Sequence, residues 1–271
     1  MQIYFLLIEK GNFIKGKNRK FFGKFAFMQL ETALYMIPVP ISDGALQDMM
    51  PMGNFDIIKE IRHFIVENIR TARRFLKKTD PGIDISQITF YELNGHTDEK
   101  IISTYLEPLR KGESVGMMSE AGCPGVADPG ASVVRIAQDE GLKVIPLVGP
   151  SSILLSLMAS GLNGQRFSFQ GYLPVDQKER EKAIKDLETQ SRRWDMTQIF
   201  IETPYRNGKM MESLLKNLGG ETLLCIASDV TNRKNEKIVT KTVKEWKSEV
   251  FIPEKVPTIF LFYCLNPNQK R

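Results

Sequence analysis

Apolar and polar positions along the first half of the chain follow two alternating periods. Residues 34–39 (LYMIPV), 61–66, 88–93, 114–118 and 143–147 are short, nearly continuous apolar runs, the signature of strands buried on both faces. Between them the period lengthens. Residues 68–78 (NIRTARRFLKK) place Ile69, Ala72, Phe75 and Leu76 on one helical face with basic residues opposite, and residues 98–110 carry Ile101, Ile102, Tyr105, Leu106 and Leu109 at helical spacing. A further helix is predicted near 131–140. Strands alternating with helices through short loops predict a largely parallel sheet covered by helices.

The pattern changes after residue 149. Gly149-Pro150-Ser151-Ser152 is a helix-start signal leading into the apolar stretch 153–159, and residues 161–166 read as a hinge. Strands are then predicted over 167–171, 197–202, 222–228, 236–240 and 258–264, with helices at 177–190 and 208–218. Two consecutive strands late in the chain imply a mixed or antiparallel sheet. The expected architecture is two α/β domains, 34–148 and 149–271, behind an N-terminal extension, 1–33.

Composition narrows the class. The chain has 271 residues, 42% hydrophobic and 25% charged, which is ordinary globular composition and excludes disorder, collagen-like repeats and coiled coil. No apolar run approaches the ~20 residues of a membrane-spanning helix. Cys123, Cys225 and Cys264 are far apart with no CxxC pair, so a reducing, cytoplasmic location is expected, without a disulfide framework or structural zinc. Only His63 and His96 are present, too few for a multi-histidine metal centre.

Charge at first suggests a polyanionic partner, since the net value is +5. Its distribution removes that argument. Residues 1–27 hold six basic residues and one acid, a net of +5, which leaves 31 basic and 31 acidic residues in the remainder. The aromatic, basic stretch 1–27 reads either as an arm for RNA or a membrane surface or as a segment upstream of a natural start at Met28, and the second is the expectation. Any anion-binding function then rests on local clusters, such as the Arg70, Arg73, Arg74, Lys77, Lys78 face.

The most unusual segment is residues 119–130, SEAGCPGVADPG, after a predicted strand and before a predicted helix. That is the carboxyl end of a parallel sheet, where open α/β folds place their ligands. Its glycines permit close backbone approach, its prolines hold shape, and Glu120 and Asp128 can accept hydrogen bonds. It is a ligand loop or an elaborate capped turn. Gly149-Pro150-Ser151 is an anion site at a helix N-terminus or a serine cap. Neither a G-x-x-x-x-G-K-[ST] loop nor a G-x-G-x-x-G after the first strand occurs, which disfavours an ATPase or a Rossmann dehydrogenase.

SEAGCPGVADPG, followed by VIPLVGPSS and FSFQGYLP, resembles the tetrapyrrole methylase superfamily, and within it the ribosomal RNA small subunit methyltransferase I branch, over about residues 34–250. Further agreement lies in LYMIPVP, in His96-x-Asp98 and in Glu202-Thr203-Pro204-Tyr205-Arg206. Departures fall at Ile41-Ser42-Asp43, at Glu67-Asn68-Ile69-Arg70, where an acid is lost, and at Ser228-Asp229-Val230-Thr231-Asn232, where both basic residues are lost.

The resemblance implies two α/β domains with S-adenosylmethionine in the cleft between them, in a homodimer that methylates ribosomal RNA at a ribose hydroxyl. A tetrapyrrole or other non-RNA acceptor, or a degenerate cofactor-binding module, are the alternatives. It assigns cofactor contacts to Pro40, Ser119, Glu120, Ala121, Gly122, Val126, Gly149, Pro150, Ser151, Tyr172 and Leu173. A ribose hydroxyl acceptor calls for a nearby proton acceptor, for which His96 and Asp98, with Glu67 behind them, are the candidates; Arg70 and Arg206 would hold phosphates. Structural alternatives stand beside these: His96 as a cap of the following helix, Asp98 as its first-turn acid, and the arginines as ion-pair partners of Glu67 and Glu202. Tyr172 and Tyr205 are candidates for stacking, and Cys123 reads as a space-filler.

Overall fold

A computed structural model describes residues 30–95, 97–249 and 255–265. In chain order the elements are β1 (Leu34–Met36), α1 (Met52–Ile58), β2 (His63–Val66), α2 (Ile69–Thr79), β3 (Thr89–Glu92), α3 (Glu99–Thr104), α4 (Glu107–Arg110), β4 (Val115–Met118), α5 (Ala131–Asp139), β5 (Val144–Pro146) and α6 (Ser152–Ser160). There follow β6 (Phe167–Tyr172), α7 (Gln177–Trp194), β7 (Thr197–Glu202), α8 (Asn207–Asn217), β8 (Leu223–Ser228), β9 (Lys237–Thr242), α9 (Val243–Lys247) and β10 (Thr258–Tyr263).

The first five strands form one all-parallel sheet in the order β3-β2-β4-β1-β5. Because successive residues point to opposite faces, Tyr35, Ile37, Phe64 and Val66 pack with Ala72, Phe75 and Leu76 of α2 on one side. Leu34, Met36, Ile65 and Val115 pack with Ile102, Leu106, Val133 and Ala137 on the other. Burial on both faces is what makes the central strands β1, β2 and β4 read as unbroken apolar runs, while the edge strands β3 and β5 are partly exposed.

The remaining strands form a second, mixed sheet, β6-β7-β10-β8-β9, with β6 parallel to β7 and the other pairs antiparallel. One face packs Phe200, Ile226, Phe260 and Phe262 against Ile184, Leu187, Met210 and Leu214 of α7 and α8. The opposite face, with Ile199, Ala227 and Ile259, meets Leu157 and Ile153 of α6 and also Ile41, which follows β1. The two sheets therefore meet along a seam at the carboxyl end of the first.

Several boundaries differ from the sequence expectation. The 34–39 strand leaves the ladder at Met36, because Pro38 has no N–H; Val39 pairs instead with Gly122. The single helix expected over 98–110 is two, since Pro108 cannot continue the ladder of α3. Helix α7 runs on to Trp194 and ends at Asp195 in the left-handed conformation, φ 52°. Residues 161–166, expected as a hinge, bond to the end of α7 and the start of β7: Asn163 Nδ2 donates to Asp195 O at 2.7 Å and Thr197 Oγ1 donates to Asn163 O at 2.9 Å. Helices α1 and α9 were not anticipated. For α9 the signal was present as the Thr242-x-x-Glu245 capping box.

Candidate functional site

Two adjoining cavities open at the seam between the sheets, sharing Ile41 and Pro257 as lining residues. The loop that follows β4 separates them. Its shape depends on glycine: Gly122, Gly125 and Gly130 all have positive φ, and a methyl group on Gly130 would come within 2.2 Å of Met117 Cε. Gly122 is pinned by reciprocal backbone bonds with Val39 at 2.9 and 3.1 Å. Ala127 adopts φ 64°, a conformation that is costly away from glycine and here sits inside the loop facing the first cavity.

The first cavity, about 290 Å³, is walled by Ile41, Phe169, Ile201, Ala227 and Ile259 and by the loop residues Ala121, Gly122, Val126 and Asp128. Ser151 completes it from the start of α6, where its hydroxyl also caps the helix by accepting from Leu154 N at 3.4 Å. The two charged side chains on this wall, Asp128 and Glu202, are both acids. Burial, with Glu120 nearby, holds the Asp128 carboxyl above its ordinary range, against the hydrogen bond it accepts from Ser119. Tyr172, 58% exposed at the mouth, has its hydroxyl pKa raised by burial and by Asp128 and Glu202.

Glu202 is held from behind. Its side chain is 1% exposed; one oxygen accepts from Thr203 N at 2.7 Å and the other lies 2.7 Å from the Arg206 guanidinium. Arg206 thus neutralises a buried acid and faces the groove between α7 and α8, and the structure does not bring it to either cavity.

The second cavity, about 450 Å³, has a different chemistry. Pro40, Ser42 and Asp43 line it from the segment after β1, Ser119 and Glu120 from the loop after β4, Asp229 from the turn after β8, and Arg74 and Lys78 from α2. Glu67, at the end of β2, stands behind Glu120 and accepts from its backbone N at 3.3 Å. Burial raises the Glu67 carboxyl above its usual range, against that hydrogen bond, and Asp128 and Glu120 add repulsion.

The predicted site residues separate accordingly. Ala121, Gly122, Val126, Ser151 and Tyr172 face the first cavity, and Pro40, Ser119 and Glu120 face the second. Gly149, Pro150 and Leu173 line neither: Pro150 O accepts from Cys123 Sγ at 3.5 Å and Leu173 packs in the core of the second sheet. Asp98 is exposed and lines neither, its carboxylate capping α3 by accepting from Lys100 N at 2.9 Å. Arg70 is exposed beside the second cavity's α2 wall. His96 lies outside the described residues. Asn68, where the resemblance expected an acid, caps α2 by accepting from Arg70 N and Thr71 N at 2.9 and 3.3 Å, so the departure keeps the cap. Ile201, Ala227, Ile259 and Pro257 were missed, because strand-end apolar residues carry no local mark of facing a cavity.

Among the described residues no cluster of His, Cys, Asp and Glu could hold a metal ion, and no helix is long and apolar enough to cross a membrane. A family model described as tetrapyrrole (corrin/porphyrin) methylases matches residues 33–247. A Vibrio cholerae protein named ribosomal RNA small subunit methyltransferase I is 33% identical over 198 residues, 73% of this chain and 65% of the relative, so the chain spans just under two thirds of that relative's length. A Mesorhizobium japonicum protein of the same name is 30% identical over 246 residues, 89% of this chain and 78% of the relative. Among solved structures, a diphthine synthase superposes with a TM-score of 0.60 at 15% identity, covering 85% of this chain and 90% of that one. A cobalt precorrin-4 methyltransferase gives 0.54 at 17%, covering 86% and 95%. These likenesses show the two-sheet α/β fold, and with the family model covering most of its length, the chain belongs to the tetrapyrrole methylase family.

Proposed function

We propose that the protein is an S-adenosylmethionine-dependent methyltransferase that modifies a ribose hydroxyl of small-subunit ribosomal RNA. The observation that carries this is the pairing of two cavities of different character at Ile41 and Pro257: one apolar, with Asp128 and Glu202 and, among the described residues, no cation on its wall, the other polar, with Arg74 and Lys78 on one side and Asp43, Glu120 and Asp229 on the other. A cationic methyl donor suits the first and a phosphate-bearing acceptor the second. The names of the 30–33% identical relatives support small-subunit ribosomal RNA as the acceptor molecule.

The first cavity fits the donor. Ala121 and Gly122 offer backbone, Ile41, Phe169 and Ile259 offer apolar walls, Ser151 a hydroxyl, and Tyr172 a ring for stacking on the adenine. Bound there, S-adenosylmethionine supplies an electrophilic methyl on a positively charged sulfur. Asp128 attracts positive charge into the cleft, whereas the Glu202 charge is already balanced by Arg206. Because the cofactor's charge disperses as the methyl leaves, the attraction of Asp128 favours binding more than it lowers the barrier. Rate must come from alignment and water exclusion, which the rigid loop and the apolar walls provide.

The acceptor hydroxyl loses its proton to a carboxylate facing the second cavity, Asp43, Glu120 or Asp229, with Glu67 holding Glu120 in place. In this reading residues 34–148 and 149–271 act as two domains, and the protein works in the cytoplasm. It works as a homodimer, for which the exposed apolar residues Val148 (73%), Leu154 (51%) and Met158 (79%) supply a subunit surface. The decisive experiment adds the purified protein and isotopically labelled S-adenosylmethionine to unmodified small-subunit RNA. Label in a 2′-O-methyl nucleotide supports the proposal; cofactor binding without transfer to RNA rejects the acceptor.

A further inference from the structure

The second cavity is asymmetric in charge. Three carboxylates face it from segments after β1, β4 and β8, and its cations come from α2 alone. Helix α2 has five basic residues and no acid. Arg73 stacks over the Phe90 ring at 5.4 Å, and Lys77 donates to Pro81 O at 2.9 Å. Arg70, Arg74 and Lys78 are exposed and form no ion pair among the described residues. They are spaced i, i+4, i+8, so they form one stripe about 12 Å long on the helix surface. Thr71, Arg74, Phe75 and Lys78 turn one face of α2 to the cavity, and Arg70 lies at the edge of that face.

A stripe of unpaired cations facing carboxylates is poorly suited to a compact polyanion, which the acids would repel. It suits a chain whose phosphates lie along one side while its sugar hydroxyls and base amino groups turn to the other. The cavity volume, about 450 Å³, lies within the ~300–1,000 Å³ of pockets that take a small ligand or one nucleotide.

We propose that the second cavity takes the acceptor nucleotide, with Arg74 and Lys78 holding the phosphates next to it and Arg70 extending the track along α2, so that this helix places a single RNA strand against the cofactor cavity at Ile41 and Pro257. This rests on the functional reading above and adds the residues that position the strand. Lys78 and Arg74 belong to none of the recognised motifs; the sequence marks them as part of the basic face of residues 68–78, and the fold turns that face to the second cavity. They are positioning residues: they set where the strand lies and take no part in methyl transfer.

The test uses the full chain, unmodified small-subunit RNA as methyl acceptor, a single-stranded RNA oligonucleotide for binding by fluorescence anisotropy, and calorimetry for S-adenosylmethionine. The variants are Arg74→Ala/Lys78→Ala, the conservative Arg74→Lys/Lys78→Arg, and Lys111→Ala, an exposed cation before β4 that lines neither cavity. The double alanine variant should raise KM for RNA about tenfold, leave cofactor affinity and melting temperature at the wild-type level, and flatten the log–log salt dependence of RNA binding by about 1.4, two single-strand phosphate contacts at ~0.7 each. The conservative pair should restore most of the slope and Lys111→Ala should leave it unchanged. An unaltered KM and slope in the alanine variant, or an equal loss in Lys111→Ala, overturns the assignment. A wild-type protein that binds S-adenosylmethionine but neither binds nor methylates RNA overturns the functional reading itself, an outcome distinct from an active enzyme indifferent to Arg74 and Lys78.

Discussion

Gly149 tests whether the geometry of the first cavity, proposed to take the cofactor, depends on a backbone contact outside its lining. A methyl group added there would stand 2.4 Å from Pro38 Cβ and 2.8 Å from Pro38 Cγ, where ordinary contact begins at 3.4 Å. The two segments must part by about 1 Å, a displacement large enough to disturb reacting geometry. Neither can yield cheaply. The Pro38 ring is closed onto its own backbone, flanked by Ile37 N donating to Met117 O at 2.8 Å and Val39 N donating to Gly122 O at 2.9 Å. On the other side Leu147 N donates to Met36 O at 2.9 Å and Asn54 Nδ2 to Val148 O at 2.8 Å. Overpacking of this kind costs about 1–3 kcal/mol. For a chain of this size that lowers the melting temperature by roughly 2–12 °C.

The functional effect should exceed the stability effect, because Pro40 and Ile41 lie just beyond Pro38 and Ser151 just beyond Gly149, and all three line the cavities. A misplacement of about 1 Å can cost up to about a hundredfold in turnover. Gly149→Ala should therefore weaken S-adenosylmethionine binding at least tenfold by calorimetry while thermal unfolding stays cooperative. Gly208→Ala is the control. It lies in the first turn of α8, a Cβ there meets nothing within 4 Å, and alanine should stabilise the helix by up to ~1 kcal/mol with cofactor affinity unchanged. Wild-type melting and wild-type cofactor affinity in Gly149→Ala would refute the reasoning.

Four further outcomes follow from the same structure. Because Asp128 titrates above its ordinary range in the fold, its contribution to stability is present at low pH and is lost as pH rises through that raised pKa; Asp128→Asn should melt higher than wild type at pH 8 without ligand, yet show KM for S-adenosylmethionine raised about tenfold with kcat nearly unchanged. Asn68→Ala removes the α2 cap and should cost about 1 kcal/mol in urea denaturation. Asp98→Ala should cost a similar amount and leave turnover within twofold, since its carboxylate serves α3 and lines neither cavity; a tenfold loss of turnover would return it to the chemistry. Burial pushes the Cys225 thiol up to about 11, so at pH 8 it should resist thiol reagents until the protein unfolds.

The central strands of the first sheet, β1, β2 and β4, were legible because they are buried on both faces, which leaves apolar runs such as VGMM, whereas the edge strands β3 and β5 are partly exposed. The loop of residues 119–130 was legible for a related reason: Gly122, Gly125 and Gly130 occupy conformations that other residues rarely adopt, so the backbone's demand is written in composition. Short helices such as α1 were not legible, since one or two turns give too few apolar positions to establish a period. Charged candidates fared according to their local partners. Arg206 and Asp98 carried motif resemblance, yet a buried acid four residues away and a helix N-terminus one residue away claim them.

Local order was thus set by the chain itself: which segments extend, which coil, and where backbone must pass without a side chain. Periodicity and glycine act over a few residues, so they leave their trace in the sequence. Tertiary structure alone decided which residues share a cavity. Ile41 meets Ile259 and Pro257 across more than two hundred positions, Arg74 and Lys78 turn from an ordinary amphipathic helix toward Asp43, Glu120 and Asp229, and Asp128 and Glu202 come to share one wall. The packing of one sheet's carboxyl edge against the face of another makes those pairings, and no spacing along the chain encodes them.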